Sequence, residues 1–377
     1  MIPRLLAGSL ERSLKPGRVW MLFGARRVGK TQLIQNYLAT VPNEKWYQGH
    51  GEDRDLAELL ESLSASRYRQ LFNTYDGFFL DEAHSVKDAG LALKLLVDLF
   101  PDLKVIVTGS SAFRLDQMLG QPLTGRRSVR YLYPVNASEI AAWKDPLAPG
   151  GLLPDLLNYG SYPEVLQLGA PEERQAYLRQ LVEDYLFQDI LVFEQLRNAR
   201  KLRDLTVMVA HQIGSELSLN ELANALQINK ATVERYLDLL EKSFVLFRVG
   251  GFSRNLRKEV SKTQRYYFVD NGIRNAVINQ FQPIDQRADR GALWENYFIN
   301  ERRRFHAYHN SGIQSYFWRT YDQQEIDLIE VGPDGELAAF ECKWQNKKLR
   351  VPGAWQKAYP STPVHFVHPR NFTDFLL

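Results

Sequence analysis

The sequence predicts an α/β protein in which a parallel sheet comes first and a smaller α/β region comes last. An apolar strand that runs directly into Gly24 to Thr31 predicts the first half, as do two later apolar segments that end in polar side chains. A helix followed by three strand-like segments, beginning at Gly291, predicts the second half. The length of 377 residues favours two or three domains, and we expect three.

The composition is that of a folded protein, with 45% hydrophobic and 24% charged residues. No stretch approaches the roughly 18 apolar residues that a membrane span requires, so we expect a cytoplasmic protein. The single cysteine, Cys342, excludes a disulfide framework and a zinc site built on several thiolates. Because the net charge is only +3, any basic surface must be local.

The first functional motif is GARRVGKT, from Gly24 to Thr31. It lies between a short strand and a helical pattern, which is the context that a phosphate-binding P-loop requires. Its glycines let backbone N–H groups turn towards phosphates, Lys30 reaches the β and γ oxygens, and the Thr31 hydroxyl can ligate Mg²⁺. The motif predicts an ATP site with these binding residues: Gly24, Arg27, Gly29, Lys30, Thr31 and Gln32.

The second motif, GFFLDEAH, predicts a buried strand that ends in two acids. Asp81 would hold Mg²⁺ and Glu82 would polarise the attacking water, since adjacent carboxylates can divide these roles. Taken alone, the segment also fits a strand capped by solvated acids. After a P-loop it favours a hydrolase, because a P-loop kinase would not need the second carboxylate to activate water.

A third apolar segment, LKVIVTGSSAFRL, predicts another parallel strand that is buried on both faces. Together the three motifs resemble the AAA+ ATPases, in which a polar residue on this strand senses the γ-phosphate. The resemblance implies Ser110 as the sensor, with Thr108 and Ser111 as alternatives.

In the AAA+ family a basic residue from a neighbouring subunit completes the nucleotide site. The resemblance implies Arg126 for this role, with Arg114 and Arg127 as competitors, although an ordinary surface arginine explains Arg126 equally well. It also implies a homo-oligomer, for which a hexameric ring is the family's usual form.

A closer resemblance rests on GARRVGKT, FFLDEAH, VTGSS, LTGRRSVRYLYPVNASE, GSYPE and GALWENYF. This succession is similar to a widespread prokaryotic group of AAA+ proteins with a C-terminal nuclease-like domain, apart from Ser161 where the group often has glycine. The resemblance implies four segments: an AAA+ core over 1–136, a helical lid over 137–200, a winged helix-turn-helix over 201–285 and a PD-(D/E)XK nuclease-like domain over 286–377.

Within the lid, the prolines and paired glycines of DPLAPGGLLPD predict a loop. The later segment SLNELANALQINKATVERYLDLLEKSFVLFRV predicts a helix capped by Ser218, a turn, a second helix from Lys230 and a strand. That order is typical of a winged helix-turn-helix.

DNA binding is predicted by basic residues on the second helix and in the wing. The candidates are Lys230, Thr232 and Arg235 on the helix and Arg254, Arg257, Lys258, Lys262 and Arg265 in the wing. Gln356 and Tyr359, on a later helix, could also orient DNA. The alternative is a packing or oligomerisation module, because Glu234 on the same helix would repel a phosphate.

The C-terminal pattern of one helix and three strands resembles the PD-(D/E)XK nucleases. Glu295 lies on the helix, Asp327 on the second strand, and Glu341 and Lys343 on the third. In that chemistry carboxylates hold Mg²⁺ or Mn²⁺ and the lysine orients or activates water. The resemblance therefore implies Asp327, Glu341 and Lys343 as catalytic residues, and Glu295, Asp327 and Glu341 as metal ligands.

The turn between the last two of these strands sets their register. Gly332-Pro333-Asp334-Gly335 fits a type I turn, and a three-residue loop brings Asp327 opposite Glu341. Directly opposed carboxylates repel, and a divalent cation would remove the conflict. A hairpin with solvated charges is the alternative, and it accounts well for Glu330.

The sequence thus predicts an ATP-hydrolysing AAA+ protein that acts on DNA through a metal-dependent nuclease-like domain. The alternative is an ATP-dependent switch that binds DNA or a protein partner, in which the C-terminal domain only docks.

Overall fold

A computed structural model describes residues 2–110, 123–184, 199–253, 263–346 and 350–377. The chain packs into two compact units. The first unit comprises Arg4–Tyr133 with Lys242–Phe244, and the second comprises the rest of the described chain. Within these ranges, no helix combines the length and the apolar character needed to cross a membrane.

A five-stranded parallel sheet forms the centre of the first unit, in the order β2-β3-β4-β1-β5. Its strands are β1 Val19–Phe23, β2 Trp46–His50, β3 Gly77–Asp81, β4 Lys104–Gly109 and β5 Arg127–Tyr131. The apolar runs of β1, β3 and β4 are buried, as strands with both faces covered require. All ladders are parallel, so the carboxyl ends of these strands meet at one edge, where such sheets bind ligands. The predicted parallel α/β fold is confirmed.

Five described helices belong to this unit. They are α1 Leu6–Ser13, α2 Lys30–Thr40, α3 Arg54–Glu61, α4 Ala65–Phe72 and α5 Ala89–Leu99. Helix α2 starts directly at the P-loop lysine, and a short 3-10 turn over Ala83–Ser85 follows β3. Both motifs therefore lie at the ligand-binding edge of the sheet.

The second unit begins with a helical segment. Its described helices are α6 Ala137–Trp143, α7 Ala148–Gly151, α8 Leu153–Tyr159, α9 Pro171–Leu181 and α10 Ala199–His211. The loop predicted at DPLAPGGLLPD is wrong, because α7 and α8 occupy most of it. Each of these two helices has a proline in its first turn, where the missing N–H group has no helical partner to lose.

The next elements follow the order predicted for a winged helix. They are α11 Leu219–Leu226, α12 Lys230–Lys242, β6 Leu246–Gly251 and β7 Gln264–Phe268. The predicted cap is confirmed, since the Ser218 hydroxyl accepts the N–H of Glu221. Gln227 ends α11 in the left-handed conformation, with φ of 53°, which provides the predicted turn.

The remaining elements complete a mixed sheet. They are α13 Asn271–Val277, a 3-10 turn Ile284–Gln286, α14 Arg290–His309, β8 Gln314–Arg319, β9 Glu325–Val331, β10 Leu337–Cys342, α15 Gly353–Ala358, β11 Val364–Val367 and a 3-10 turn Phe372–Phe375. The six strands have the order β11-β10-β9-β8-β6-β7, and β6 pairs in parallel with β8. The boundary predicted between residues 285 and 286 thus falls between strands of one continuous sheet.

The hairpin of β9 and β10 has the predicted register. The Gly335 N–H donates to the Gly332 carbonyl at 2.9 Å, and Gly335 adopts a φ of 77°. Val331 pairs with Leu337 and Leu328 with Phe340, so the next pair outward is Asp327 and Glu341. The two carboxylates therefore face one another across the strands, as predicted.

Aromatic packing at the end of α15 corrects one prediction. The ring of Tyr359 lies 4.4 Å from Trp355 and 5.6 Å from Phe252, in a core that also contains Trp318. Only 8% of Tyr359 is exposed. The prediction that this ring orients DNA is therefore wrong, because a side chain packed in the core cannot reach the nucleic acid. Gln356 is exposed, and its role stays a prediction.

Candidate functional site

The P-loop is shaped by two glycines with positive φ. Gly24 has a φ of 156°, and a Cβ atom there would lie only 2.1 Å from the Leu132 carbonyl oxygen. Gly29 has a φ of 95° and caps α2. The turn therefore requires glycine at Gly24 for space and at Gly29 for conformation. It leads the backbone into the N-terminus of a helix, a favourable environment for an anion.

Lys30 is buried at the start of α2. Its ammonium donates to the carbonyl oxygens of Gly24 and Ala25, both at 3.0 Å. Burial lowers the pKa of Lys30, although the charges of Glu82 and Asp81 act to raise it. The other predicted binding side chains, Arg27, Thr31 and Gln32, are exposed, and Gln32 donates to Asn36 at 2.8 Å.

Asp81, at the end of β3, contacts both the P-loop side of the site and strand β4. Its Oδ2 atom accepts the Thr31 hydroxyl at 2.6 Å, and its Oδ1 atom accepts the Thr108 hydroxyl. The two residues predicted to hold Mg²⁺, Thr31 and Asp81, are thus in direct contact. Their oxygen atoms are of the kind that Mg²⁺ prefers.

Glu82 is held by donors from two directions. Its Oε2 atom accepts the Ser110 backbone N–H at 3.1 Å and lies 2.9 Å from His84 Nδ1. Burial opposes ionisation of Glu82, but its contact with His84 and the charge of Lys30 outweigh it and lower its pKa to about 2. The carboxylate is therefore ionised at neutral pH. The contact of His84 was missed, although the residue follows Glu82 by only two positions.

Only some of the candidates for the γ-phosphate sensor and for the arginine that reaches a neighbouring subunit lie in the described ranges. Thr108 contacts Asp81 and Ser110 contacts Glu82, whereas Ser111 and Arg114 lie outside the described residues. Arg126 is half exposed and pairs with Asp98 of the same chain. Arg127 begins β5. The roles of Ser110 and Arg126 stay predictions.

The predicted nuclease-like residues meet at the hairpin of the second unit. Lys343 Nζ lies 2.6 Å from Glu341 Oε1 and 3.8 Å from Asp327 Oδ2. Asp327 is buried and accepts the Cys342 backbone N–H at 2.9 Å. Glu295, on α14, accepts the Tyr267 hydroxyl at 2.7 Å.

Arg265 of β7 corrects the prediction of a basic wing. We expected it to face DNA, yet its side chain is buried and contacts Glu295, Asp327 and Glu325. Alternation along β7 explains the difference, because Arg265 shares one face of the strand with Tyr267, which also contacts Glu295. A position next to the wing therefore does not imply exposure.

The carboxyl groups of this cluster are hard to ionise. Burial raises the pKa of Glu295, Asp327 and Glu341. The charge of Asp327 raises the pKa of Glu295 and Glu341 further. Lys343 and Arg265 act in the opposite direction on Asp327 without reversing the shift.

The donor set of the cluster can be tested against the divalent cation that the PD-(D/E)XK resemblance implies. Glu341 Oε2 is buried and has no hydrogen-bond partner, so one oxygen is available for a cation. In the described ranges, however, no group of three or more His, Cys, Asp or Glu residues is arranged to share a metal ion. The opposed pair Asp327 and Glu341 offers two carboxylates to a cation, and the ligand roles of Asp327, Glu341 and Glu295 stay predictions.

The predicted DNA-binding helix carries its own counter-charges. Lys230 and Arg235 are exposed, but Lys230 Nζ lies 3.7 Å from Glu234 Oε1. The Thr232 hydroxyl donates to the Asn229 side chain at 2.8 Å, which caps the helix. The wing candidates Arg254, Arg257, Lys258 and Lys262 lie outside the described residues.

Three family models match successive parts of the chain. Residues 16–141 match a family described as an AAA domain. Residues 151–283 and 290–368 match families described as domains of unknown function, DUF8612 and DUF4143. The first unit therefore carries an AAA-type ATPase-like domain, in agreement with its P-loop.

Similar proteins occur in distant microorganisms. An uncharacterized protein of Methanocaldococcus jannaschii is 22% identical over 393 residues, covering 98% of this chain and 85% of the relative. An uncharacterized protein of Mycobacterium tuberculosis is 24% identical over 343 residues, covering 89% and 73%. One of Haemophilus influenzae is 22% identical over 401 residues, covering 95% and 94%. The similarity thus extends over most of the chain.

Two solved structures align with a large part of the chain at low scores. AMPPCP-bound DnaA from Aquifex aeolicus has a TM-score of 0.32 and 16% identity, over 63% of this chain and 84% of that one. A Thermotoga maritima RuvB variant has a TM-score of 0.31 and 15% identity, over 65% and 86%. At these scores the likeness carries no functional weight.

Proposed function

We propose that the first unit binds ATP with Mg²⁺ and hydrolyses it. The observation that carries this proposal is the position of Glu82, which is ionised and lies beside the Thr31–Asp81 contact. Lys30 would exchange its carbonyl partners for the β and γ phosphate oxygens. Thr31 and Asp81 would hold Mg²⁺, which neutralises charge on the phosphates.

In this reaction Glu82 is the general base. It takes a proton from water as the water oxygen bonds to the γ-phosphorus and the bond to the β–γ bridging oxygen breaks. Ser110 or Thr108 would sense the γ-phosphate, because each contacts one of the two acids. The test is phosphate release by the purified protein with ATP and Mg²⁺, which EDTA should abolish. Release that is unaffected by EDTA would contradict the proposal.

We further propose that the protein works as a homo-oligomer, and a hexameric ring is the form that the AAA+ resemblance implies. Arg126 would then leave Asp98 and reach the nucleotide of a neighbouring subunit. Specific ATPase activity should rise with protein concentration, together with the mass measured by light scattering. Full activity in a strictly monomeric protein would contradict this proposal.

The second proposed activity is metal-dependent cleavage of DNA by the C-terminal residues. It is supported by the opposed pair Asp327 and Glu341 and by Lys343, 2.6 Å from Glu341. The carboxylates, with Glu295, would hold Mg²⁺ or Mn²⁺, and Lys343 would orient the attacking water. Lys230 and Arg235 on α12, with Arg254, Arg257 and Lys258, would contact DNA phosphates.

Another function class fits the same residues: an ATP-dependent switch in which the second unit only docks DNA or a protein partner. The Lys230–Glu234 pair favours a docked protein partner, because it reduces the positive charge with which the helix would contact DNA. The two are separated by incubating the protein with Mg²⁺ or Mn²⁺, ATP and a panel of duplex, forked, junction and single-stranded DNA. Cleavage products support the nuclease, whereas binding without products supports the switch.

A further inference from the structure

Arg265 is held against the carboxylate cluster by the fold itself. Its Nη2 atom donates to Glu325 at 2.6 Å, and its guanidinium carbon lies 4.5 Å from the centre of the Phe317 ring. These two contacts hold Nη1 at 3.8 Å from Glu295 Oε1 and 3.7 Å from Asp327 Oδ1. The guanidinium is therefore a fixed positive charge at the cluster.

The contacts of Nη1 offset the negative charge of Asp327 and Glu295 but do not block their oxygen atoms. At 3.7 and 3.8 Å they are longer than hydrogen bonds, so they do not occupy the oxygen lone pairs of Asp327 and Glu295. Glu341 Oε2 is also buried without a hydrogen-bond partner. Oxygen lone pairs thus stay available for a cation.

The cluster also carries excess negative charge when its acids are ionised. The ion pairs in it join four carboxylates to two cations: Glu295, Glu325, Asp327 and Glu341 with Arg265 and Lys343. The excess is two negative charges, which one divalent cation would balance.

We propose that Arg265 is a built-in counter-cation of this cluster, which holds the carboxylates together in the metal-free protein and weakens their affinity for a divalent cation. The inference rests on the metal site proposed above, but it concerns a residue of the β6–β7 hairpin outside the implied ligand set. Arg265 is thus a positioning residue. The surrounding acids support its charged state, since burial opposes the charge and Tyr267, Glu295, Glu325 and Asp327 nevertheless raise its pKa.

Simple electrostatics gives the sign of the effect of removing Arg265. A fixed positive charge repels a divalent cation twice as strongly as it repels a proton at the same distance. Removing it therefore favours the metal ion more than the proton that competes for the same oxygen. With the acids of the cluster ionised, removing Arg265 therefore raises their affinity for the metal.

The experiment measures Mn²⁺ binding to the nucleotide-free, full-length protein by electron paramagnetic resonance. Arg265→Met keeps the aliphatic packing on Phe317 but removes the charge, and we expect it to bind Mn²⁺ about tenfold more tightly than wild type. Arg265→Lys keeps a charge and should stay within about threefold of wild type. The matched control is Arg248→Met on the same hairpin, since Arg248 is exposed and pairs with Glu241.

The double variant Arg265→Met/Asp327→Asn locates the gained binding, which should disappear if it belongs to the cluster. If wild type binds Mn²⁺ at Asp327 and Arg265→Met binds it equally or less tightly, the role of Arg265 is wrong and the proposed metal site stands. If neither protein binds Mn²⁺ at Asp327, the proposed metal site itself is wrong, and the inference with it. Should Arg265→Met fail to fold, Arg265→Gln provides the same comparison.

Discussion

The two carboxylate sites of this protein shift the pKa of glutamate in opposite directions. At the P-loop, Glu82 accepts a backbone N–H from Ser110 and contacts His84, and its pKa is lowered to about 2. On the mixed sheet, Glu295 and Glu341 are partly buried near Asp327, and the pKa of each is raised. Neighbouring donors and charges, rather than the residue type, set the sign of the shift.

This difference separates a carboxylate that is ionised without a bound ligand from carboxylates whose ionisation is opposed by burial. Glu82 is ionised before any ligand arrives, as a general base requires. The hairpin cluster keeps an unpaired oxygen on Glu341 and depends on Lys343 and Arg265 for compensation. We therefore expect nucleotide-site substitutions to act on ATP binding and turnover, and hairpin substitutions to act on metal binding, metal-dependent cleavage and stability.

The largest expected effect separates Lys30 from Glu82. Lys30→Ala should abolish ATP binding, because it removes the buried cation at the phosphates. Glu82→Gln should keep ATP bound and slow turnover by roughly 10²–10⁴-fold, since only the base is lost. Binding of a fluorescent ATP analogue and phosphate release measure the two effects.

A matched control for the base is Glu58→Gln, an exposed glutamate on α3 of the same unit. It should leave turnover unchanged. Equal turnover in wild type and Glu82→Gln would remove Glu82 from the reaction.

The next prediction concerns substitutions that should affect the hairpin site and leave the nucleotide site unchanged. Asp327→Ala and Lys343→Ala should each abolish metal-dependent DNA cleavage, because one removes a ligand and the other the residue that orients water. ATP turnover should stay within about twofold, since these residues do not contribute to the P-loop. Gel assays of cleavage and phosphate release from the same samples give both values.

Glu336→Gln is the control for this pair, because Glu336 lies at the exposed end of the same hairpin. It should cleave like wild type. Cleavage by Asp327→Ala at the wild-type rate would exclude the hairpin as the active site.

Local sequence signals predicted the features that local chain geometry determines. The P-loop needs only a strand, its glycines and a helix start. The register of Asp327 against Glu341 needs only the length of the turn at Gly332. Both lie within short segments, so a single sequence was sufficient to predict them.

Features that depend on distant partners were missed. Arg265 looked like a wing cation because nothing near it in sequence shows that Glu295 and Asp327 face it. Glu330 looked solvated, yet it is 2% exposed and binds Arg302 at 2.5 Å and His306 at 2.9 Å. In both cases a strand face became buried through contacts with remote elements, which sequence alternation cannot identify.

Glu330 and Glu341 lie in paired strands of one hairpin, and the comparison predicts opposite effects of removing their charge. Burial acts to raise the pKa of Glu330, but Arg302 and His306 outweigh it and lower the pKa. Glu330→Gln should therefore destabilise the protein, by roughly 1.5–3 kcal/mol, the value of hydrogen bonds to a charged group. Urea unfolding at neutral pH measures the change.

The pH dependence of this effect has a definite sign. A lowered carboxyl pKa contributes stability that is fully present above the ordinary pKa and is lost as the pH falls through the folded-state value. The difference between wild type and Glu330→Gln should thus shrink in acid. A constant difference from neutral to acidic pH would show that the carboxylate charge is not the cause.

The smallest expected effect is a gain in stability. In the metal-free protein the pKa of Glu341 is raised, first by burial and then by Asp327, so folding disfavours its ionised form. Glu341→Gln removes that charge and also loses the contact with Lys343. This contact is weak, because the Lys343 side chain is 40% exposed. We expect the variant to be more stable than wild type by roughly 0.2–1 kcal/mol, the size of a cross-strand pair effect. Urea unfolding in EDTA measures this gain, and saturating Mn²⁺ should cancel or reverse it, because the ion binds the wild-type pair and stabilises the folded state. A variant that is less stable than wild type in EDTA would mean that Lys343 already offsets the repulsion between the Asp327 and Glu341 carboxylates. The hairpin would then not require a cation to relieve that repulsion.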